Sequence, residues 1–396
     1  MSGETTVPQN RRYTREAENV AAGVEPAAAG FDDALIAFED HGGFFELLRQ
    51  SDFSLVVTRE YEHFLLALDG GKTGPISSPF PLPHPSGACF APETGELVVA
   101  STRTPNMLVW FAPYEAARHG AEILPADYSA PEERTVFLPT KARYLPGSLY
   151  IHDLVKMGDA YFATITGHNF LARLSIDKGW ERVWWPRAAD ELGSAAFNQN
   201  YFQLNSIAAA GTPETSFYTA FSELTSGPKP WKEGYGPEGR GVVFSGETRT
   251  AISRGLTCPH SARFHQGRLW VCNSGFGSVG YIDDHGSLDP GRTRYVEVAR
   301  VPGFTRGLAF SGDVMFVGLS KVIPKYEPYA PGLVPADTRC GIWALEASTG
   351  KFLASVTWPA GYQIYDVQVM PGIKHPMLPL LSRPSDGINP LLRFLG

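Results

Sequence analysis

Residues 260–301 read HSARFHQGRLWVCNSGFGSVGYIDDHGSLDPGRTRYVEVARV. Four short runs in it are predicted to be strands: HSARFHQ, RLWVCNS, VGYIDD and RYVEVARV. Gly267, the GFG triplet and the HGSLDPGR stretch separate these runs, and such clusters are turn signals between antiparallel strands. Four short strands joined by tight turns are the make-up of one blade of a β-propeller.

The same four-strand unit recurs along the chain, so five complete blades are predicted. The other four units open on HPSGACFAPETGELVVAST, IHDLVKMGDAYFATI, QLNSIAAAGTPETSFYTAFSE and RGLAFSGDVMFVGLS. The first strand of each blade lines the propeller axis. These first strands begin near His84, His152, Asn205, His260 and Arg306.

A sixth blade is predicted from the two ends of the chain. The segment IYDVQVMPG at 364–372 is an inner strand without partners downstream, whereas residues 54–80 hold three strands without a first one. Pairing the two segments closes the ring and removes its exposed strand edges. The predicted fold is all-β, a single six-bladed β-propeller over 51–380. The alternatives are a seventh, degenerate blade or two separate β domains.

The segments outside the ring carry different signals. Residues 1–50 are predicted to form a flexible arm at 1–30, followed by one or two short helices in FDDALIAFEDHGGFFELLRQ at 31–50. Residues 381–396 are predicted to form a C-terminal tail.

Composition narrows the class of protein. The 396 residues carry a formal net charge of −7 without a basic block, which argues against a nucleic-acid partner. No apolar run approaches the roughly 18 residues of a membrane span, and the N-terminus lacks the apolar core of a signal peptide. The four cysteines form no CxxC pair, which favours a reducing compartment. We therefore expect a cytoplasmic protein that does not bind membranes.

The predicted strand starts are more polar than core positions usually are. They carry His84, His152, Asp153, Gln203, Asn205, His260, Ser261, Arg306, Tyr365 and Asp366. Polar groups seldom enter a protein interior unpaired. Because first strands surround one axis, these residues are expected to meet in a shared cavity despite their separation in sequence.

Three of the strand-start residues are histidines, and neutral imidazole is a common nitrogen ligand of zinc, iron and copper. His84, His152 and His260 are therefore predicted to bind a divalent metal ion that keeps an open coordination position. An oxygen-rich subset would suit calcium or magnesium instead: Asp153, Asn205 and Asp366. The alternative for each histidine is a hydrogen-bonded structural role.

The remaining strand-start residues suit the handling of a substrate. The predicted catalytic residues are Asp153, Asn205, Arg306, Tyr365 and Asp366. The predicted substrate contacts are Gln203, Ser261 and Arg306. Either aspartate could act as general base or orient a metal ligand, or could simply bond inner-strand N–H groups. The fork-shaped Arg306 side chain suits a substrate carboxylate or phosphate, or alternatively a structural bridge to a carboxylate.

Longer strings in the chain resemble a bacterial family of β-propeller proteins without a settled activity. The resemblance rests on PHSARFHQGRLWVCNSGFGSVGYID, PGFTRGLAFSGDVMFVGLSK, RCGIWALEASTGKF and IYDVQVMPG. It marks His152, Asp153, Asn205, His260, Ser261, Arg263, Ser274, Arg306, Ser320 and Asp366, and it adds Arg263 to the predicted substrate contacts. Members often carry His-Leu-Asn-Gly where this chain has Gln203-Leu204-Asn205-Ser206. If that histidine is a metal ligand in relatives, this chain has lost one, which either weakens the prediction of a metal or shifts the third ligand to His84.

More broadly, the blade pattern is similar to the gluconolactonase, strictosidine-synthase-like and NHL groups of six-bladed propellers. Some members of these groups hold calcium or zinc on the axis and act as hydrolases or lyases. This resemblance concerns the fold, and a fold does not fix a function.

Three functions are therefore compatible with the sequence. The first is an enzyme acting on a small molecule by lyase, hydrolase or isomerase chemistry, with a metal at the axis. The second is a metal-free enzyme or ligand-binding module. The third is a protein-interaction platform on the loops 221–241 and 321–339, although these loops could instead form a lid. The exposed-looking aromatic residues in these loops are Trp231, Tyr235, Tyr326 and Tyr329.

Overall fold

Six sheets of mostly antiparallel strands make up the fold. A computed structural model describes residues 33–103, 106–113, 135–230, 232–287, 289 and 291–378. Within these ranges the sheets follow one another as the six blades of a propeller, which confirms the predicted fold class. The predicted flexible arm at 1–30 and the predicted C-terminal tail at 381–396 lie outside the described residues and stay predictions.

Each blade is built from four strands, which are numbered along the chain and run in order from the axis outward. Blade 1 comprises β25 (Asp366–Pro371), β2 (Phe53–Arg59), β3 (Phe64–Asp69) and β4 (Ile76–Pro81). Blade 2 comprises β5 (Pro85–Ala91), β6 (Glu96–Ser101), β7 (Asn106–Pro113) and β8 (Thr135–Leu145). Blade 3 comprises β9 (Ile151–Met157), β10 (Ala160–Ile165), β11 (Phe170–Ser175) and β12 (Gly179–Trp184).

The other three blades follow the same order. Blade 4 comprises β13 (Leu204–Ala210), β14 (Thr212–Ala220), β15 (Gly241–Ser245) and β16 (Ala251–Leu256). Blade 5 comprises β17 (Pro259–His265), β18 (Arg268–Asn273), β19 (Ser278–Asp283) and β20 (Arg294–Arg300). Blade 6 comprises β21 (Phe304–Ser311), β22 (Val314–Ser320), β23 (Gly341–Glu346) and β24 (Phe352–Thr357).

Helical structure is confined to short segments of the described chain. The α-helices are α1 (Asp33–Ile36) and α2 (Phe44–Gln50). The 3₁₀ segments are Thr166–His168, Arg187–Phe197, Ser274–Phe276, Pro324–Tyr329 and Pro335–Asp337. None of these described helices has the length and apolarity needed to cross a bilayer.

The ring closes within blade 1, as predicted. The C-terminal strand β25 pairs antiparallel with β2, with Asp366 opposite Thr58 and Pro371 opposite Phe53. All residues of β2 are buried. The closing strand therefore hides an apolar edge that would otherwise be open to other chains.

Two short strands fasten the ends of the described chain to the ring. Strand β1 (Glu39–His41) pairs with β24 of blade 6, and β26 (Pro376–Met377) runs parallel to β8 of blade 2. Helix α2 follows β1, and the carboxylate of Asp40 accepts hydrogen bonds from the backbone N–H groups of Phe44 and Phe45. Both phenylalanines are buried in the core between blades 1 and 6. The helices were predicted, whereas β1 was not.

The apolar core lies between neighbouring blades. Residues of β3 pack with residues of blade 2, and residues of β10 pack with residues of blade 2 on the other side. The four cysteines are all buried and free. Burial raises the pKa of the Cys272 thiol to about 12, so this side chain packs as a small buried hydrophobe.

Five of the six inner strands have a register shift close to where they begin. The shift lies between Pro85 and Ala88 in blade 2, between His260 and Arg263 in blade 5, and at equivalent places in blades 3, 4 and 6. Such irregularities bend a strand and re-aim its side chains. This local geometry turns the polar strand starts toward the channel.

Candidate functional site

A cavity of about 730 Å³ opens on the face of the propeller where the inner strands begin. Its volume lies in the range of small-molecule sites. Among the predicted site residues, those that line it are His152, Gln203, His260, Arg306 and Tyr365. The convergence predicted from sequence therefore holds for these five residues.

His152 and His260 occupy matching positions in blades 3 and 5. The Nδ1 atom of each ring lies 3.0 Å from the carbonyl oxygen two residues earlier, Tyr150 O for His152 and Cys258 O for His260. Tyr150 and Cys258 both adopt left-handed backbone conformations, with φ of 51° and 50°. Because a carbonyl only accepts hydrogen bonds, each Nδ1 carries the proton and each Nε2 presents a lone pair.

The two imidazoles differ in what meets their Nε2 atoms. The side-chain amide of Gln203 donates to Nε2 of His152 at 3.2 Å, and Gln203 is itself held by the side-chain amide of Asn200. No hydrogen bond among the described residues reaches Nε2 of His260. Its Nδ1 also lies 3.1 Å from the Ser274 hydroxyl, which donates to a backbone carbonyl. His260 thus lines the cavity as an oriented imidazole whose acceptor nitrogen has no hydrogen-bond partner from the described chain.

Both histidines are neutral at pH 7. Burial and the neighbouring Arg306 guanidinium lower the pKa of His152 to about 3. Burial, Arg306 and His152 together hold the pKa of His260 well below its usual value. A neutral imidazole accepts a hydrogen bond or a proton, so His260 has the protonation state of a general base.

Arg306 is a half-buried cation without a counter-ion in the part of the chain described. Its guanidinium stacks on the Tyr365 ring, 3.3 Å from the ring centroid. Its Nη2 atom is buried and has no hydrogen-bond partner among the described residues. Burying a charged donor without a partner is costly, and an anionic ligand would supply the missing acceptor. Tyr365 supports this arrangement from below, and burial raises the pKa of its hydroxyl, which keeps it neutral.

The predicted bases Asp153 and Asp366 lie beneath the cavity floor and do not line the main cavity. They adjoin a space of only about 10 Å³, which they share with Arg263 and the floor residues. Arg263 contacts both carboxylates, at 2.7 Å for Asp153 and 3.3 Å for Asp366. Each carboxylate also accepts a backbone N–H from the next blade, Ile207 for Asp153 and Ala88 for Asp366. The structure therefore surrounds both predicted bases with permanent donors.

Asn205 and Ser261 also join inner strands to one another. The Asn205 amide donates to the carbonyl of Pro259 at 2.9 Å, and its oxygen accepts from Thr219. The Ser261 hydroxyl accepts from the backbone N–H of Gly307 at 2.8 Å. These residues border the small space under the floor and not the main cavity, so their predicted contacts with a substrate stay predictions.

His84, the third predicted metal ligand, is not brought to the cavity with the other two histidines. Its ring packs against His63, with 4.3 Å between the ring centroids, and its Nδ1 lies 3.4 Å from the Glu60 carboxylate. Glu60 also pairs with Arg103 at 2.6 Å. Burial opposes ionisation, but Arg103 and His84 hold the pKa of Glu60 below its usual range. His84 thus contacts the Glu60–Arg103 ion pair, whose two residues line the cavity, but His84 itself does not line it.

The residues of the axis do not fit the predicted metal ion. No group of three His, Cys, Asp or Glu side chains within the described ranges is arranged as a ligand set. Of the three predicted histidine ligands, His84 lies against Glu60 and not with His152 and His260. In the oxygen set, the Arg263 guanidinium already lies between Asp153 and Asp366. The metal ion stays a prediction without a ligand set in the part of the chain described.

The cavity is more positive than the chain as a whole. Its cationic lining residues are Arg103, Lys232, Arg306, Lys321 and Lys325, whereas Glu60 is the acidic one among the lining residues described. Glu60 is paired with Arg103, so the other four cations are in excess. In a protein of net charge −7, this excess focuses positive potential on the cavity.

The two long loops contribute walls to the cavity. Phe221, Pro230 and Lys232 come from 221–241, and Lys321 to Tyr329 contribute from 321–339. Tyr326 stacks on Tyr61 of blade 1, with 6.2 Å between ring centroids, and their hydroxyls are in contact. This placement favours the lid interpretation of the loops.

The aromatic residues of these loops are less exposed than predicted. Tyr235 is buried, with 3% of its surface accessible, and its hydroxyl donates to the Phe221 carbonyl. Tyr326 and Tyr329 are half-buried. The expectation of exposed aromatic residues was therefore wrong for Tyr235, while Trp231 lies outside the described residues. A protein partner at these loops stays a prediction.

The sequence reasoning missed the residues that follow the second strand of each blade. Glu60 and Tyr61 follow β2, Thr102 and Arg103 follow β6, and Lys321 follows β22. First and second strands are antiparallel, so the end of the second strand lies beside the start of the first. These residues could have been predicted by taking the residues that directly follow each predicted second strand as candidates for the same cavity.

The architecture and the site define a six-bladed β-propeller with a cationic axial cavity, closed beneath by an ion-paired cluster. Residues 42–378 match the family described as a domain of unknown function, DUF4915, and the chain belongs to that family. This confirms the resemblance to a propeller family without a settled activity. No curated protein matches the sequence.

Solved structures show likeness at the level of fold. The crystal structure of a nidogen/laminin complex is 9% identical, with 81% of this chain and 99% of that chain covered and a TM-score of 0.50. A gluconolactonase from Xanthomonas campestris is 11% identical, with 70% and 77% covered and a TM-score of 0.44. A luciferin-regenerating enzyme has the same identity and coverage and a TM-score of 0.43. At such identities a likeness concerns the fold alone.

Proposed function

We propose that this protein is an enzyme acting on a small organic anion in the axial cavity. The observation that carries the proposal is the buried Nη2 atom of Arg306, which has no partner among the described residues, in a cavity that is also lined by His260. Arg306 binds a carboxylate or phosphate of the substrate. His260 then stands as the general base toward a hydroxyl or an acidic C–H of the same molecule.

Anion binding and base strength are coupled in this site. The Arg306 charge is one of the causes that hold the pKa of His260 down. When a substrate anion neutralises that charge, the pKa of His260 rises toward the working pH. Binding of the substrate anion therefore makes His260 a stronger base. Water does not have this effect, because it is neutral and leaves the Arg306 charge uncompensated.

The proton transfer balances without an outside reactant. The proton passes from the substrate to Nε2 of His260, and its electron pair stays on the substrate oxygen or carbon. The Cys258 carbonyl and the Ser274 hydroxyl contact the Nδ1 side of the imidazolium that forms. Return of the proton to a leaving group, as the electron pair forms a new double bond, gives lyase chemistry, and its return to a neighbouring carbon gives an isomerase. Hydrolysis would instead require His260 to take its proton from a water molecule that attacks the substrate and to return that proton to the leaving group.

Asp153 and Asp366 take supporting roles in this proposal. Their oxygens are bonded to Arg263 and to backbone amides, so neither carboxylate is offered as the base. Gln203 holds His152 in place, and the pair forms a rigid wall beside the reacting group. The loops that line the mouth limit the access of water to the charged groups.

A second candidate is a binding protein for the same class of anion, without turnover. The low pKa of His260 in the ligand-free site favours it, because such an imidazole is a weak base until an anion is bound. The two candidates share the ligand and differ only in whether the ligand is converted.

The test begins with a panel of carboxylates and phosphates in a thermal-shift assay, with and without chelator. Replacing Arg306 with methionine should weaken binding of any hit roughly 10- to 100-fold, since a charged hydrogen bond is lost. Arg268 is the matched control, because it stacks on Tyr281 as Arg306 stacks on Tyr365 but does not line the cavity. Arg268→Met should bind like wild type.

Conversion of each hit is then followed by NMR spectroscopy. A turnover that falls roughly 10²- to 10⁴-fold in His260→Gln supports the enzyme. Binding without conversion supports the second candidate. If Arg306→Met binds every hit as tightly as wild type does, both candidates fail.

A further inference from the structure

The axial cluster beneath the cavity contains its own cation. Nη1 of Arg263 lies 2.7 Å from Oδ2 of Asp153, and Nη2 lies 3.1 Å from Oδ1 of the same carboxylate. Nη2 also lies 3.3 Å from Oδ1 of Asp366. One guanidinium therefore bridges two carboxylates that are both at least 95% buried.

The three charges come from alternate blades of the ring. Asp366 belongs to blade 1, Asp153 to blade 3 and Arg263 to blade 5. Between Asp366 and Asp153, blade 2 presents Gly87, where a Cβ atom would lie only 2.6 Å from the backbone N of Leu154. The close approach of the inner strands thus depends on a residue without a side chain and on charges that attract one another.

The carboxylates also hold the blades in register through the backbone. Asp366 accepts the N–H of Ala88 in blade 2, and Asp153 accepts the N–H of Ile207 in blade 4. Two ionised carboxylates this close to each other repel unless a cation lies between them. A divalent ion is one solution, and the planar fork of an arginine is another.

We propose that Arg263 is the resident cation of this propeller, that it fills the axial position a divalent ion would otherwise occupy, and that it seals the channel below the cavity. The remaining space of about 10 Å³ has room for no more than a water molecule. This inference does not depend on the proposed enzymatic function, because it concerns the support of the ring and not the ligand above it.

The proposal implies a concealed cation site that the loss of Arg263 uncovers. In Arg263→Ala, two carboxylates and a vacated guanidinium volume remain at the axis. We expect the variant to bind Ca²⁺ and methylguanidinium. Wild-type protein should bind neither at this position, since its own side chain occupies the site.

The first measurement uses wild-type protein and needs no variant. Its thermal unfolding midpoint should be the same after chelator treatment and in excess Ca²⁺. A stoichiometric divalent ion at the axis, whose removal lowers the midpoint, would overturn the proposal.

The second measurement compares variants by their thermal unfolding midpoints. Arg263→Ala should melt roughly 5 °C or more below wild type, because two buried carboxylates lose their counter-charge. Methylguanidinium or Ca²⁺ should restore part of this loss, whereas urea and methylammonium should not. The double variant Arg263→Ala/Asp366→Asn should lose the response to Ca²⁺, and the exposed Arg268→Ala should melt like wild type.

If Arg263→Ala gives no soluble protein, the same measurements are made on Arg263→Lys. A lysine keeps the charge but cannot contact both carboxylates as a fork. We expect a midpoint below that of wild type together with a stabilising response to methylguanidinium or Ca²⁺. A wild-type midpoint for Arg263→Lys, or an Arg263→Ala variant indifferent to both cations, contradicts the proposal.

Discussion

The carboxylate of Asp366 accepts a hydrogen bond of 3.0 Å from the backbone N–H of Ala88, 278 residues earlier in the chain. This contact joins the closing strand of blade 1 to the inner strand of blade 2. The same carboxylate accepts hydrogen bonds from the side chains of Gln368 and Arg263. One buried side chain therefore links the closing strand, the inner strand of blade 2 and the arginine at the axis. The closure of the propeller is therefore polar at its centre and apolar between its blades.

Replacement of Asp366 with alanine should lower the free energy of unfolding by about 3–5 kcal/mol, because Arg263 and the Ala88 N–H lose a buried partner. Asp366→Asn keeps one oxygen acceptor and should cost less. Urea denaturation checks both values. Asp313, whose carboxylate holds the exposed Ser348 turn, is the control, and Asp313→Ala should cost less than about 1 kcal/mol. Equal losses for Asp366→Ala and Asp313→Ala would contradict the role of Asp366 in closure.

Much of the fold was predictable because the chain repeats one unit of four short strands with turn signals between them. The segment at 260–301 contains the four strands of blade 5, and IYDVQVMPG contains the closing strand. Strand β1 was missed because three exposed residues carry no alternation that distinguishes them from a loop.

The site was predictable only in part. The position of a residue at the start of a blade's first strand shows that it approaches the axis, but not how deep along the axis it lies. His260 and Arg306 reach the cavity, whereas Asp366 lies below its floor. The pairing of Arg263 with its two carboxylates depends on distances across the ring, and no local pattern encodes those. His84 begins its strand as predicted, but Glu60 from the neighbouring blade engages it.

The free energy of unfolding should fall as the pH drops from 7 to 5. Burial lowers the folded-state pKa of His152 to about 3 and that of His63 to about 4, compared with about 6.5 in an unfolded chain. A depressed folded-state pKa gives stability above the unfolded value that is lost as the pH falls toward the folded one. Asp366 acts in the opposite sense, because burial raises its pKa to about 6 and the folded state then gains stability as it takes up a proton.

His152→Gln isolates one histidine in this balance. Urea denaturation at pH 7 and pH 5 should give a difference roughly 2 kcal/mol smaller in the variant than in wild type, since that proton uptake by the unfolded chain is removed. His265→Gln, at a hairpin turn against Phe310, is the control and should leave the difference unchanged. An undiminished difference in His152→Gln would mean that this ring is not buried as a neutral imidazole.

Removal of residues 364–396 should prevent cooperative folding. The deletion takes away β25 with its buried side chains Val367 and Met370, together with the buried Ile364 before it and the short strand β26 after it. It leaves β2 with an unpaired edge at the axis. Removal of residues 379–396 alone leaves every described strand intact and is the control. Circular dichroism and size-exclusion chromatography should show a monomer with a sharp thermal transition for the shorter deletion and aggregation for the longer one. A cooperative monomer without β25 would be inconsistent with closure through blade 1.

Replacement of Tyr326 with alanine should increase the open population of the loop 321–339, which lines the cavity. The stacked pair of Tyr326 and Tyr61 is a contact between this loop and blade 1, and such a pair contributes about 1 kcal/mol beyond its buried area. Losing that amount raises the open population roughly five-fold, and cleavage by trypsin at Lys321 and Lys325 should rise in proportion when opening is fast. Tyr144→Ala, an exposed tyrosine on β8, should be cleaved at the wild-type rate. Equal cleavage of wild type and Tyr326→Ala would show that this aromatic contact does not hold the loop closed.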